Sequence, residues 1–482
     1  MEERFKSVID WLVKKGAEYA DLRREVLRSE SIQVRDGALE GFSTDLSSGV
    51  GIRVLFNGAW GFAATNLCEQ NDLLNAAGEA LAMAKAFASF NSAKVRLAPE
   101  PPVVDSFSTP FRIDPFKIPA EEKISLLIEV TSEAIKKKDI AVSEAFMEFS
   151  RVEKEFYSSE GSNIKQTLLT SGGGYHVIAE NGREVQRRSY PDAHHGLFST
   201  AGYELFEDLN MKDNLERVAE EARALLKAKE CPTGKTDIII DGSQMALQLH
   251  ESCGHPVELD RALGTETGLA GGSFLSLDKK GSFRYGSKHV NIYADPNHTG
   301  GAGSYKYDDE GVRARRVDLV KDGVFTGYLT SRESAVALKE ASNGSMRADG
   351  WGALPLIRMS NVCIEPGKPS LAELIADTKK GIFLSTNRSW SIDDLRLNFQ
   401  FGTEIAYEIR NGKLGQPYKN PVYYGMTPAF WGSCDAVCRQ DEWRMWGLNS
   451  CGKGEPMQAA SVGHGAAPAR FTGVSVGVLK DE

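Results

Sequence analysis

The segment His250-Glu251-Ser252-Cys253-Gly254-His255 concentrates more reactive chemistry than any other stretch of the chain. Two imidazoles bracket a carboxylate that directly follows the first. Neutral imidazoles are good zinc ligands, and a neighbouring Glu is placed to take a proton from water held on the metal. Helical zinc peptidases space the two histidines at i and i+4. Here they stand at i and i+5. At 3.6 residues per turn the first spacing leaves about 40° between the rings and the second about 140°. A regular α-helix would therefore aim only one ring at a given ion. The extra residue must be absorbed. Gly254 permits unusual dihedrals, and Pro256 lacks an N–H and disfavours α geometry at His255. A π-bulge or kink here is the expected solution.

A catalytic zinc needs a third protein ligand and an open position. Spacing alone leaves the candidates as Glu258, Asp260, His289, His298, His464 or any of the seven cysteines. An ordinary cysteine is a small buried hydrophobe, and Cys68, Cys231 and Cys363 are read so. Cys253 lies inside the motif and is a candidate pocket residue. Cys434 and Cys438, four apart, fit one side of a helix. Asp308-Asp309-Glu310 is either a carboxylate cluster or a capped loop, and His194-His195 is read as structural or solvated.

The elements that must position these residues follow from local pattern. Residues 4–15 form an amphipathic first helix, and helices are expected near 71–89 and 118–137. In NLERVAEEARALLKAK, Leu215, Val218, Ala219, Ala222, Leu225 and Leu226 make one apolar stripe. Alternating runs are joined at Asp36-Gly37, Asn57-Gly58, Asn181-Gly182, Asp322-Gly323 and Asn411-Gly412, dipeptides that favour the tight type I′ hairpin turn. The break at CPTGKT predicts a domain boundary, with one domain over 1–231 and a second over 232–482. Strand-like Asp237–Ile240 follows, then an Asp241-Gly242 turn and a helix capped by Ser243. A short helix capped by Ser370 runs towards Gly381. The glycine-rich stretches 172–174, 271–272 and 300–303 read as turns, bulges or places where a substrate backbone approaches. The fold class is α+β: two domains of mostly antiparallel sheet with flanking helices.

The bulk composition excludes some function classes. The 57 basic and 66 acidic side chains leave a net charge of −9, which opposes nucleic acid or an anionic membrane as the main partner. No apolar run approaches a membrane span. The N-terminus, MEERFKSVIDWLVKKG, lacks the apolar core of an export signal. A cytoplasmic protein with reduced thiols is expected.

Beyond these readings, the chain resembles a known family. The HExxxH segment, Tyr307-Asp308-Asp309-Glu310-Gly311, VDLVKDGVFTGYLTSRESA and Asn449-Ser450-Cys451-Gly452-Lys453-Gly454 are similar to the TldD/PmbA (TldE) metallopeptidases, as is ADLRREVLRSESIQVRDGALEGF more loosely. The resemblance implies His250, His255 and Cys451 as zinc ligands and Glu251 as catalytic base. The chain keeps the motif that TldE-like members lose. His464, in GHGAAPARF, is then a residue behind a ligand or an exposed one. The expected activity is zinc-dependent hydrolysis of unfolded or flexible peptides by a homodimer, or by a heterodimer with a TldE-like partner. The alternatives are a zinc-stabilised peptide-binding protein without catalysis, and the regulator of a DNA enzyme, a label historically attached to the family.

Overall fold

The computed structural model describes residues 1–90, 93–193, 196–266 and 271–479; His194-His195 lie outside them. The architecture is α+β with mostly antiparallel sheet. One eight-stranded sheet runs, in spatial order, Ala59–Thr65, Ala38–Phe56, Tyr19–Arg35, Ile140–Ser158, Asn163–Glu180 and Val104–Ser108, with Val185–Tyr190 and Leu197–Ser199 also paired to Asn163–Glu180. The helices Glu2–Lys14 and Gln70–Ala88 cover one part of it, burying Phe5, Val8 and Leu12 beside Leu22, Ile52 and Val54. Ala120–Ile135 and Leu215–Leu225 cover another part, and the Leu215 stripe is buried against Met147, Phe149 and Val177.

A second eight-stranded sheet runs Lys380–Ile392, Gly234–Ile240, Ala469–Val478, Pro421–Met426, Asn398–Arg410, Lys413–Lys419 and Lys229–Glu230, with Cys434–Val437 paired to Ala469–Val478. A separate hairpin, Arg444–Lys453 with Gln458–Ala466, projects from it. It lies against Leu197–Ser199 of the first sheet so closely that a Cβ at Gly447 would stand 2.0 Å from the Phe198 carbonyl.

Asp36-Gly37, Asn57-Gly58, Asp322-Gly323 and Asn411-Gly412 each have two positive φ values and close two-residue hairpins, as I′ turns require. Asn181-Gly182 differs. Only Gly182 has positive φ, and the loop has four residues because the Asn181 Oδ1 accepts from the N–H groups of Arg183 and Glu184. The cap of the helix Gly242–Leu249 also differs: Asp241, not Ser243, accepts from the Gln244 N–H. Ser370 does form a capping box with Glu373, but the helix ends at Asp377 because Lys380 begins a strand.

The glycine runs serve packing. Cβ atoms at Gly172 and Gly173 would strike Phe198 and Phe206, whose rings lie on the strand. Gly301 and Gly303 are closed in by Asn361 and Ser360.

The acidic trio welds the second half of the chain to the first sheet. Asp308 accepts from three backbone N–H groups, those of Glu310, Val312 and Met346. Asp309 receives Lys154 at 3.1 Å and lies 3.6 Å from Arg23. Glu310 accepts from Arg53 at 3.3 Å and from the Arg332 N–H at 2.7 Å, and Arg53 also grips Asp21 at 2.6 Å. All three acids are buried. Asp308 caps its loop, while Asp309 and Glu310 are paired to cations of the first sheet.

Candidate metal centre

The helix Gly242–Leu249 does not continue as α-helix. Residues His250–Gly254 form a π turn, and the His255 N–H donates to the His250 carbonyl five residues back at 3.1 Å. An i→i−5 turn places residues five apart on one face, as the i, i+5 spacing demands. The local causes differ from expectation. Gly254 has no positive φ; glycine is required because a Cβ there would lie 2.0 Å from the Met359 Sδ. His255 keeps φ −67° and ψ −45° despite the following proline. The turn is held from outside: Tyr285 Oη donates to the Ser252 carbonyl at 2.7 Å, and Trp431 Nε1 donates to the Ser252 Oγ at 2.9 Å.

The turn brings the two rings within 4.8 Å, centroid to centroid. Cys451, on the hairpin strand Arg444–Lys453, completes the group. Its Sγ lies 3.4 Å from His250 Nε2 and 3.6 Å from His255 Nε2. Sulfur and nitrogen bound to one tetrahedral zinc at about 2.3 and 2.05 Å stand roughly 3.6 Å apart. The donor set and its spacing therefore fit the ion. Among the described residues this is the one cluster of three or more His, Cys, Asp or Glu able to hold a metal. All three residues are buried.

Hydrogen bonds behind the ligands set their tautomers. His464 Nδ1 lies 3.2 Å from the Val362 carbonyl and must donate to it, so its Nε2 accepts. That Nε2 is 2.8 Å from His250 Nδ1, which therefore carries the proton and leaves Nε2 as the free lone pair. His255 Nδ1 donates to Glu258 at 3.2 Å with the same consequence. Burial holds His250, His255 and His464 below the ordinary imidazole value, which favours the neutral, metal-binding form. Burial works against the Glu258 carboxylate, but Lys453, His255 and Arg261 outweigh it and hold Glu258 well below the usual range.

Cys451 is distinguished from its fellows. Burial alone would raise its thiol, but His255 and Arg358 outweigh burial and bring it below the ordinary value. Burial pushes Cys231, Cys253, Cys363 and Cys434 up to about 12. Cys253 faces the core beside Tyr285 and is not in the ligand group. Cys434 begins a strand and Cys438 lies beyond its end, so the pair shares no helix face. Cys68 is half-buried rather than buried. Of the other ligand candidates, Asp260 pairs with Lys453, His289 is exposed, and His298 lies against Trp443 at 5.3 Å.

Glu251 is held in a way the sequence did not foretell. Its Oε2 accepts from Arg396 Nη1 at 2.6 Å, and its other oxygen has no partner among the described residues. Arg396 is 8% exposed, has φ 64°, and leaves its Nε without an acceptor. A non-glycine residue in the left-handed region is costly and tends to mark a functional constraint. The only signal in the chain is a basic residue after Asp393-Asp394, which many surface turns share.

A groove of about 620 Å³ borders the Cys451 hairpin, lined by Asn449 and Ser461 on one side and by Glu25, Lys154 and Trp351 on the other. No helix among the described residues is long and apolar enough to cross a membrane.

Known proteins are similar to the chain in sequence and in fold. Residues 20–84, 113–229 and 233–477 match domain 1, the central domain and the C-terminal domain of the PmbA/TldA metallopeptidases. A metalloprotease of Methanocaldococcus jannaschii is 32% identical over 95% of this chain and 96% of its own length. The zinc metalloprotease TldD homolog of Saccharolobus solfataricus is 26% identical over 86% of this chain and 87% of its own. In fold alone, the crystal structure of a putative DNA gyrase modulator from Thermotoga maritima matches 99% of this chain and 100% of its own, at TM-score 0.78 and 17% identity. TldE from Thermococcus kodakarensis matches 98% and 99%, at TM-score 0.72 and 18% identity. With 32% identity along nearly its whole length and three matching domains in order, the chain belongs to the PmbA/TldD metallopeptidase family.

Proposed function

We propose that the chain is a zinc-dependent peptidase in which His250, His255 and Cys451 hold the ion and Glu251 is the general base. The observation that carries this reading is the convergence of two imidazole Nε2 atoms on one buried thiol at 3.4 and 3.6 Å. Zinc, when bound, supplies Lewis-acid polarisation and makes water acidic enough to be activated near neutral pH. The protein's own groups do the rest. His250 and His255 present Nε2 because their Nδ1 protons are committed to His464 and Glu258. The free oxygen of Glu251 takes the proton of the attacking water and passes it to the leaving amine. Arg396 keeps the other oxygen, which fixes the rotation of the carboxylate.

The substrates are unfolded or flexible peptides, and the working particle is a dimer with itself or with a TldE-like partner. The metalloprotease names of the relatives support the first statement and the TldE fold relative the second. The gyrase label of one fold relative does not extend to direct DNA contact here, which a net charge of −9 opposes. We read the chain as two units, 1–231 and 232–482. One large sheet uses strands up to Ser199 and the other uses strands from Gly234 onward, joined only by the two-residue strand Lys229–Glu230 from the end of the first unit, which supports a boundary in this region. Location in the cytoplasm is part of the same reading.

Elemental analysis combined with cleavage of an unfolded peptide tests the function. One zinc per chain is expected, with cleavage lost to a chelator and regained on adding zinc. Cleavage indifferent to chelator, or a chain that takes up no zinc, would sink the reading.

A further inference from the structure

Two residues after Cys451 on the same strand, Lys453 buries its ammonium completely. Residues i and i+2 of a strand share a face, so the side that presents the Cys451 thiol to the histidines also presents this cation. Its Nζ donates to both oxygens of Asp260 at 2.8 Å and to the Ile357 carbonyl at 2.7 Å, and it lies 3.3 Å from Glu258 Oε2 and 3.6 Å from Glu266. Two of its three donors thus tie the Cys451 strand to the helix Leu259–Leu263 through Asp260, and its charge also faces Glu258, the residue just before that helix.

Glu258 is the acceptor that orients His255. Every contact it makes falls on Oε2: His255 Nδ1 at 3.2 Å, Arg261 Nε at 2.8 Å and Lys453 Nζ at 3.3 Å. Its Oε1 has no hydrogen-bond partner. The place of Oε2 is therefore a balance between two cations pulling from different elements. Without Lys453, Arg261 pulls alone, and Asp260 repels Glu258 with its own cation gone. Partners behind a metal ligand commonly govern affinity by 10–100-fold.

We propose that Lys453 is a positioning residue for the metal centre: it holds Glu258, and through it the His255 ring, in register with the thiol two residues away. The inference rests on the zinc reading above. Zinc affinity is to be measured by competition with a chromophoric chelator, and ligation by the thiolate-to-cobalt charge-transfer band of the cobalt-loaded protein. Lys453→Met should weaken zinc about 10–100-fold and alter that band. Glu258→Gln should do the same. If Lys453 acts through Glu258, Lys453→Met should cost less than about threefold more in the Glu258→Gln background, since residues acting through one another are not additive. Additive losses, or a Lys453→Met protein that binds zinc as tightly as wild type, would overturn the proposal. If Lys453→Met does not fold, Lys453→Met/Asp260→Asn removes the stranded charge and the same two outcomes are read from it. A wild-type chain that binds no zinc would instead overturn the reading of the site itself.

Discussion

Replacing Glu251 by Gln separates catalysis from metal binding and tests the Arg396 clamp together with the base. The amide keeps the shape but cannot accept the proton, and general-base catalysis is worth about 10²–10⁴-fold. Turnover should fall by that factor while zinc stays at one per chain, because Glu251 is not among the three converging ligands. The change also strands a cation. Arg396 is 8% exposed, and Glu251 is its one carboxylate partner among the described residues. Breaking a buried pair outright costs about 3–5 kcal/mol. The Gln carbonyl still accepts from Nη1, so the loss should lie nearer the about 1 kcal/mol separating a charged from a neutral hydrogen bond. About 2 kcal/mol is expected, which lowers the melting temperature by about 4–8 °C for a cooperative unit of roughly 250 residues. Adding Arg396→Met to Glu251→Gln removes the stranded guanidinium and should return most of the stability but none of the turnover. Peptide-cleavage kinetics, elemental analysis and calorimetry of the zinc-loaded proteins give the three readouts. Cleavage by Glu251→Gln within tenfold of wild type would refute the base. A single variant as stable as wild type would refute the electrostatic account of the clamp.

Cys451→Ser should lose zinc affinity sharply, whereas Cys253→Ser and Cys434→Ser should keep one zinc per chain; equal affinity for Cys451→Ser and wild type would return the third ligand to open question. His464→Phe removes the acceptor of the His250 Nδ1 proton, 2.8 Å away, and should weaken zinc by about 10–100-fold in chelator competition; no change would mean the ring is oriented by packing alone. Arg53→Met leaves Asp21 and Glu310 buried without their cation and should cost about 3–5 kcal/mol in denaturant unfolding. Adding Asp21→Asn and Glu310→Gln should recover most of that, and a triple variant no better than the single would show that the charges are not what holds the two parts together.

Local pattern settles what neighbouring residues decide between themselves. Asp-Gly and Asn-Gly pairs turned the chain wherever φ had to be positive at two successive residues, since that preference is steric and local. The i, i+5 spacing of His250 and His255 required a departure from α geometry, because ring direction follows from residues per turn. The Leu215 stripe foretold a helix with one buried face for the same reason. Tertiary structure decided everything that depends on residues distant in the chain. Gly254 is glycine because Met359 occupies the space its Cβ would need, not because of its own dihedrals. His255 stays helical before Pro256 because the π turn around it is pinned by Tyr285 and Trp431. Asp308 could not be told apart from a metal ligand by composition; three backbone N–H groups make it a cap. The partners of Glu251, His250 and His255 come from Arg396, His464 and Glu258. Of these, Glu258 is near enough in sequence to be guessed, and even it was a candidate ligand rather than an orienter. Cys451 reaches the histidines across 196 residues because a hairpin packed on the first sheet carries it there. No spacing rule spans that distance, and the shape of the packed core is what brings thiol and imidazoles together.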